Sequence, residues 1–204
     1  MINEIWIATG NKGKLSEFKL LLNKEFASVD GGLKIFSIAD LPTYSPPPEN
    51  GQTFEDNARI KAKSLRAMKP GTWIIADDSG LEVDALGNLP GIHSARYAGP
   101  KAADSENTAK LLKMMQIRAG ANRKAQFRCC LVVYSPTGEE MIFNGLLKGD
   151  IAKNTAGQHG FGYDPVFVPT GETKTLAELG SGYKSTHSHR ALAIQQFIEK
   201  LKSL

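Results

Sequence analysis

The segment NEIWIATGNKGK at residues 3–14 indicates an α/β protein, because a glycine-containing turn joins a short apolar strand to a helix. A second apolar run, WIIAD at residues 73–77, has the composition of another buried strand. Two more strand patterns, joined by SPTGEE, cover residues 125–134 and 141–148 and predict an antiparallel hairpin. Helical periodicity covers residues 13–24, 54–68, 103–117 and 189–203. We therefore predict a mixed-sheet α/β protein.

The length and charge of the chain narrow its class. The 204 residues are enough for one domain, of one or two lobes, that spans residues 1–204 and buries a sizeable core. The net charge of +4 comes from scattered basic residues, which favours an anionic small molecule over nucleic acid as a partner. No apolar run approaches the roughly 20 residues that cross a bilayer, and the first residues lack the basic region of a signal peptide. We expect a cytoplasmic protein without a nucleic-acid or membrane partner.

The chain has two cysteines, Cys129 and Cys130, which are adjacent. Neighbouring positions suit neither an ordinary disulfide nor the spaced ligands of a zinc site. We expect both side chains to be buried as small hydrophobic groups in a reducing compartment. Redox and zinc chemistry are therefore not expected.

The turn TGNKGK at residues 9–14 predicts an anion site. Glycines expose backbone N–H groups beside the positive end of the following helix, and two lysines add charge. The spacing is not that of a Walker loop, because two residues rather than four separate the glycines and no serine or threonine follows the second lysine. A solvated turn with surface lysines is the alternative. The candidate phosphate-binding residues are Thr9, Gly10, Asn11, Lys12, Gly13 and Lys14.

An inward-facing lysine is predicted in the helix at residues 54–68. On a helical wheel that starts at Thr53, Lys61 falls at about 80°, inside the apolar stripe, and Asn57 flanks it at about 40°. A lysine in this direction is costly unless it meets an anion or a carboxylate. The alternative is a lysine whose stem lies at the core edge while its amine reaches water.

Carboxylates follow the second apolar strand, in the sequence ADDSG at residues 76–80. We expect the strand to end at Asp77 and Asp78, where ligands bind in open α/β sheets, and the glycine to turn the chain. Neighbouring carboxylates repel unless a cation intervenes, and such oxygens suit Mg²⁺. Glu49, in the ordered loop or flap at residues 42–51, completes the candidate site. The alternative is that one aspartate caps a turn and the other is solvated.

Aromatic residues alternate with glycine in the segment GQHGFGYDP at residues 157–165. Glycine lets the backbone approach a ligand closely, and Phe161 offers a flat face. Asp164 is able to accept hydrogen bonds from a purine edge. We interpret the segment as a base-binding loop, with an ordinary tight turn as the alternative.

The segment KSTHSHR at residues 184–190 breaks a local rule before the last helix. Ser188 is a good N-cap, but His189 and Arg190 then occupy the first turn, where the helix dipole disfavours cations. Such an inconsistency often marks a site. The alternative is that these residues lie at the surface by chance, since a cation in the first turn of a helix costs under about 1 kcal/mol.

Five blocks of sequence, in order, resemble the ITP/XTP pyrophosphatase family from about residue 5 to residue 200. They are TGNKGK (9–14), E-x-G-x-T-F-x-x-N-A-x-x-K-A (49–62), ADDSGLEVDALGNLPGIHSARYAG (76–99), GFGYDPVF (160–167) and SHR (188–190). The resemblance implies an elongated α/β fold with a long mixed sheet, two lobes flanking a central nucleotide-binding cleft, and a homodimer. It also implies Mg²⁺-dependent hydrolysis of ITP, dITP and XTP to the monophosphate and pyrophosphate, which cleanses the nucleotide pool.

Carried over residue by residue, the resemblance gives each block a role. Asp78 is implied as the proton acceptor and, with Glu49, as a metal ligand, while Asp77 stands beside them. Asn57 and Lys61 are implied to support the phosphates bound by residues 9–14, and Ser79 to contact the substrate. In the base-binding loop Phe161 is implied to stack on the base, together with Gly162, Tyr163 and Asp164. The residues implied to approach the base and its 6-keto oxygen are Lys184, His189 and Arg190.

Two other functions stay open at this point. A related nucleotide pyrophosphatase would act on other modified bases, and a binding module would hold nucleotide or RNA without catalysis. RNA binding would fall steeply as salt rises. Against the binding module, the carboxylates Glu49, Asp77 and Asp78 would repel a nucleic-acid backbone unless a metal is present.

Overall fold

The computed structural model of the chain describes residues 3–26, 32–118, 120 and 122–203. The strands within these ranges are β1 (Glu4–Ile7), β2 (Lys34–Ser37), β3 (Trp73–Val83), β4 (Leu89–Pro90), β5 (Lys124–Tyr134), β6 (Glu140–Ile151) and β7 (Phe167–Pro169). The α-helices are α1 (Lys12–Glu25), α2 (Phe54–Met68), α3 (Asp104–Arg118), α4 (Leu176–His187) and α5 (His189–Lys202). Short 3₁₀ helices cover Ile38–Asp40, Asp84–Leu86, Gly91–Arg96 and Asp164–Val166.

The strands form one mixed sheet in the order β2-β1-β3-β5-β6-β7, with β4 beside β3. Strand β1 pairs in parallel with β2 and β3, whereas β4 on β3 and β7 on β6 are antiparallel. The predicted mixed-sheet α/β class is therefore confirmed. Among the described residues, none of the helices has the length and apolar character required to span a bilayer.

The chain divides into two compact units. The first contains Met1–Asp78, Cys129–Asn144 and Arg190–Leu204. Its core combines apolar residues of β1, β3, β5, α1 and α5, and among its fully buried members are Ile5, Ile7, Phe18, Leu22, Ile75, Leu131, Val133, Ile194 and Phe197. Cys129 and Cys130 are buried and free, as predicted.

The second unit contains Ser79–Arg128 and Gly145–His189. Its core joins the ends of β3, β5 and β6 with α3 and the start of α4, through Leu81, Val83, Leu111, Met115, Phe127, Ile151, Tyr163, Phe167 and Leu176. The single domain and the nucleotide cleft expected from the sequence stay predictions.

Helix α2 begins where its capping signals lie. The Thr53 hydroxyl accepts a hydrogen bond from the Asp56 backbone N–H at 3.0 Å, and the Asp56 carboxylate accepts one from Thr53 N–H at 3.1 Å. This capping box fixes the first turn. Ala58 and Leu65 are fully buried, so the predicted apolar stripe faces the core and carries Asn57 and Lys61 with it.

Strand β3 corrects one expectation. It continues from Trp73 to Val83, so the prediction that it ends at Asp77 and Asp78, with a turn at Gly80, is wrong. The strand continues because Leu81 and Val83 enter the second core. The two aspartates are consequently held inside a strand, where their side chains meet cations rather than water.

Helix α4 is absent from the sequence prediction. Thr175 and Glu178 form a capping box at its start, which is a readable signal. Gly180 interrupts the helix with φ 76° and ψ −170°. This left-handed glycine explains the weak periodicity, because the residues on its two sides do not share one helical stripe.

Candidate active site

The turn at residues 9–14 leads into the N-terminus of α1. Asn11 is the N-cap: its side-chain oxygen accepts a hydrogen bond from Lys14 N–H at 2.9 Å, and its own N–H donates to Thr9 Oγ1 at 3.2 Å. The first turn of α1 contains no acidic residue. No carboxylate in the first turn therefore offsets the positive end of this helix. This leaves the helix N-terminus suited to binding an anion.

Asp77 is held entirely by internal partners. Lys14 Nζ pairs with one carboxylate oxygen. The other oxygen accepts a hydrogen bond from Arg190 Nε at 2.9 Å and one from Cys129 Sγ at 3.1 Å. Burial raises the pKa of Asp77, but Arg190 and Lys14 outweigh it and hold the pKa well below the ordinary value. Asp77 is thus an ionised carboxylate that fixes neighbouring cations.

Arg190 is buried at 1% exposure, between two carboxylates. Its Nε donates to Asp77 and its Nη1 pairs with Glu17 of α1. These contacts explain the cation in the first turn of α5, because the carboxylates compensate the helix dipole. The alternative in which Arg190 lies at the surface by chance is wrong. The implied approach of Arg190 to the base stays a prediction.

Lys61 and Asp78 form another ion pair of this unit. Lys61 Nζ lies 2.9 Å from Asp78 Oδ1 and 3.3 Å from Glu49 Oε1. Asn57 Nδ2 donates to the other oxygen of Asp78 at 3.4 Å. The inward lysine therefore meets carboxylates, and the alternative in which its amine lies in water is wrong.

The surroundings of Gly51 explain why the E-x-G-x-T-F block has a glycine at this position. The Gly51 N–H donates to Asn57 Oδ1 at 2.9 Å. A Cβ at this position would lie 2.5 Å from Asp56 Cβ and 2.8 Å from Asn57 Oδ1. Only glycine lets the loop that carries Glu49 approach the start of α2 this closely.

The two adjacent aspartates have opposite pKa shifts. Burial raises the pKa of Asp78 above its ordinary value, although Lys61 and Lys14 oppose the change. Burial lowers the pKa of Lys61, but Asp78 and Glu49 more than reverse this, so the lysine stays charged. Because a carboxylate with a raised pKa is the stronger base, Asp78 is better suited than Asp77 to accept a proton.

The carboxylates Asp78 and Glu49 are the candidate metal ligands. Within the described ranges, no cluster of three or more His, Cys, Asp or Glu side chains has the arrangement of a metal site. Mg²⁺ commonly uses one or two carboxylates and completes its shell with water and substrate phosphates. Asp78 and Glu49 share one cation, Lys61, and offer hard oxygen donors. They fit a magnesium ion that arrives with a triphosphate, and not a cage made by protein alone.

The second unit brings Phe161, Asp164 and Lys184 together. One Asp164 oxygen accepts hydrogen bonds from Phe161 N–H at 2.9 Å and from Lys184 Nζ at 2.6 Å. Lys184 Nζ also lies 4.5 Å from the centre of the Phe161 ring. Asp164, expected to accept from a purine edge, therefore uses one oxygen to fix the loop and Lys184.

Tyr163 faces the core rather than solvent. It is 3% exposed, and its hydroxyl donates to the Ser94 carbonyl at 2.9 Å. Gly162, the preceding residue, is half-buried and has φ +62°. In this conformation a side chain would be strained. Ser79, which follows Asp78 in β3, is half-buried in the same unit.

His189 lies parallel to Phe127, with ring centres 4.8 Å apart and planes inclined by 7°. The histidine is buried at 5% exposure. Phe127 also contacts Phe167, at a centroid distance of 4.7 Å. The plane of the imidazole is therefore set by the aromatic core of the second unit.

Sequence reasoning missed several residues that hold the site. They are Glu17, Ser94, Asp104, Thr108 and Cys129. For Glu17 a signal exists, because it is three residues after Lys14 in a predicted helix. Ser94 lies within the block at residues 76–99, but nothing in that block singles it out, and the remaining three carry no local motif.

Comparison with known proteins identifies the family. The sequence matches the Ham1 family over residues 5–200. A dITP/XTP pyrophosphatase of Bdellovibrio bacteriovorus is 61% identical over 201 residues, which are 98% of each chain. A dITP/XTP pyrophosphatase of Streptococcus thermophilus is 41% identical over 194 residues, which are 95% of this chain and 58% of that relative. The solved structure of a HAM1 protein from Coxiella burnetii has a TM-score of 0.86 at 32% identity and covers 100% of both chains.

These similarities extend over nearly the whole length of the sequence, including all five blocks that carry the resemblance. The shared fold and the 61% identity lead to the same assignment. The chain belongs to the Ham1 family.

Proposed function

We propose that the chain is a nucleoside triphosphate pyrophosphatase that acts on dITP and XTP, and also on ITP. The observation that carries the proposal is the buried group of Asp78, Lys61 and Asn57. It places a carboxylate with a raised pKa beside a charged lysine. The Bdellovibrio relative is a dITP/XTP pyrophosphatase, which supports the substrate class.

The first unit supplies the phosphate-binding side chains. The helix N-terminus at residues 9–14 offers backbone N–H groups, and Lys61 offers a positive charge that Asp78 and Glu49 hold in place. Lys14 is tied to Asp77, which keeps it close to the same strand as Asp78. Preorganised charges of this kind stabilise a phosphoryl transition state because they need no rearrangement during the reaction.

The reaction is hydrolysis at the α-phosphorus. A water molecule attacks this atom while Asp78 accepts the water proton. The bond from the α-phosphorus to the bridging oxygen breaks, and the β and γ phosphates leave as pyrophosphate. The nucleoside keeps the α-phosphate as a monophosphate. Lys61, already hydrogen-bonded to Asp78, moves its charge from the carboxylate to the phosphates as they bind.

Magnesium is part of the proposal, with Asp78 and Glu49 as the residues that would hold it together with the phosphates. When bound, it would neutralise charge on the phosphate oxygens. Both carboxylates contact Lys61, so a bound metal would compete with the lysine for the same two side chains. This supports a role for Lys61 in balancing charge before substrate arrives.

The second unit supplies the groups for the base. Phe161 offers a ring face for stacking, and Lys184 Nζ lies 4.5 Å from the centre of that ring. Lys184 and His189 are donors suited to a 6-keto oxygen. They would reject adenine, whose 6-amino group is itself a donor, because a buried donor left without an acceptor is costly.

A substrate panel tests the proposal. Turnover of dITP, XTP and ITP is compared with that of dGTP, dATP and a modified pyrimidine triphosphate, with Mg²⁺ and with a chelator. We expect strong preference for the first three and loss of turnover in chelator. Greater activity on the modified pyrimidine would favour the related pyrophosphatase. Salt-sensitive RNA binding without turnover would favour a binding module.

A further inference from the structure

Helix α3 holds the loop that carries Phe161. The Gly162 N–H donates to Asp104 Oδ2 at 2.7 Å, and the Gly162 carbonyl accepts a hydrogen bond from Thr108 Oγ1 at 3.3 Å. Both backbone polar groups of the residue after Phe161 are thus bound by side chains of one helix. We call Asp104 and Thr108 the α3 clamp.

The helix that carries the clamp is packed into the second core. Asp104, Thr108, Leu111 and Met115 are spaced by four, three and four residues, so they lie on one stripe of α3. Leu111 and Met115 are at 0% and 1% exposure in the second core. Packing of Leu111 and Met115 therefore fixes the position of Asp104 and Thr108, which contact the loop.

The other contacts of the loop lie at neighbouring residues. Asp164 accepts from Phe161 N–H and is itself held by Lys184 Nζ of α4 at 2.6 Å. Tyr163 anchors the chain after Gly162 through the Ser94 carbonyl. At Gly162 the described polar contacts from outside the loop come from Asp104 and Thr108. Asp104 offers a charged acceptor at an exposed position, and Thr108 offers a neutral donor that is buried at 4% exposure, so both residues contribute to the clamp.

We propose that Asp104 and Thr108 are positioning residues that hold Phe161 where it stacks on the purine. The inference rests on the proposed function, in which Phe161 binds the base. The clamp acts on the base and not on the phosphates, because its bonds lie at the loop alone. It should therefore change KM for a nucleotide more than kcat.

The test compares Asp104→Ala, Asp104→Asn and Thr108→Val with the unmodified protein. Asp104→Ala should raise KM for dITP about tenfold, and Asp104→Asn less, because the amide keeps an acceptor oxygen. We expect kcat to stay within about threefold of the value for the unmodified protein, because the lost contact would stabilise the bound substrate and the transition state equally. Inhibition by inorganic tripolyphosphate, which has no base, should not change. Hydrogen exchange in the peptide at residues 157–165 should become faster.

Glu106→Gln is the matched control. Glu106 lies in the same first turn of α3 and accepts from Ala103 N–H, so it shares the helix-end effect without touching the loop. It should leave KM and loop exchange unchanged. The clamp is refuted if Asp104→Ala leaves both unchanged, or if tripolyphosphate inhibition weakens as much as KM rises. Absence of dITP turnover by the unmodified protein would refute the proposed function instead, while loop exchange would still decide whether the clamp exists.

Discussion

Lys61 Nζ lies 2.9 Å from Asp78 Oδ1, and the two side chains are 12% and 9% exposed. The pair joins helix α2 to strand β3, so the fold itself brings together the cation proposed to bind phosphate and the carboxylate proposed to accept a proton. In the proposed reaction, substrate binding exchanges one anionic partner of Lys61 for another.

Asp78→Asn should abolish most turnover without unfolding the protein. Loss of a general base lowers kcat by about 10²- to 10⁴-fold. The thermal midpoint should change little, because the variant loses the pair with Lys61 but also the cost of burying a carboxylate. Both quantities are measured with dITP and by thermal unfolding. Asp150→Asn, at an exposed position of β6, is the control. An Asp78→Asn protein with wild-type kcat would remove Asp78 from the mechanism.

Lys61→Gln should weaken nucleotide binding and strengthen metal binding. We expect KM for dITP to rise about 10- to 100-fold, the range for a lost hydrogen bond to a charged group. Without nucleotide, calorimetry should show tighter Mg²⁺ binding, since Glu49 and Asp78 no longer hold a lysine. Lys63→Gln, at an exposed position of the same helix, should change neither quantity. Weaker Mg²⁺ binding in Lys61→Gln would show that lysine and metal do not share the carboxylates.

Asp77→Asn should destabilise the fold. Removing one partner of a buried ion pair costs about 3–5 kcal/mol, and here Arg190 and Lys14 both lose a carboxylate. The pKa of Asp77 lies well below its unfolded value, so its contribution is present above about pH 4 and is lost as the pH falls toward the folded pKa. Urea unfolding at neutral and acidic pH measures both effects.

In that experiment the stability of Asp77→Asn should depend less on pH in the acidic range than that of the unmodified protein. Glu199→Gln, at an exposed position of α5, is the control and should follow the unmodified curve. Equal acid sensitivity of Asp77→Asn and the unmodified protein would show that Asp77 does not supply this stabilisation.

Phe161→Ala should raise KM for dITP about 5- to 100-fold, because stacking on an aromatic side chain is worth about 1–3 kcal/mol per base. Phe161→Tyr keeps the ring and should stay close to the unmodified protein. Steady-state kinetics at several dITP concentrations separate KM from kcat. A KM that does not respond to removal of the ring would assign base binding to other side chains.

The sequence predicted the elements whose signals are local. The described α1, α2, α3 and α5 have bounds within one residue of the predicted helices. For Lys61, the helical period alone placed the amine inside an apolar stripe. Because burying a charged amine without an anion is costly, this position predicted an anionic partner. In the structure that partner is Asp78.

The remaining features depend on contacts between distant segments. Strand β3 continues past Asp78 because the second core holds its end, which periodicity within residues 73–77 does not encode. The pairing of Arg190 with Asp77 joins positions 113 residues apart. The roles of Asp104 and Cys129 depend on similar pairings. The homodimer and the cytoplasmic location stay predictions.

Product analysis of dITP turnover shows which phosphorus atom is attacked. The unmodified protein is incubated with dITP and Mg²⁺, and dIMP, dIDP, pyrophosphate and orthophosphate are quantified. We predict dIMP and pyrophosphate in equal amounts, with no dIDP. Formation of dIDP and orthophosphate would contradict the account, because attack would then occur at the γ-phosphorus and not at the α-phosphorus beside Asp78.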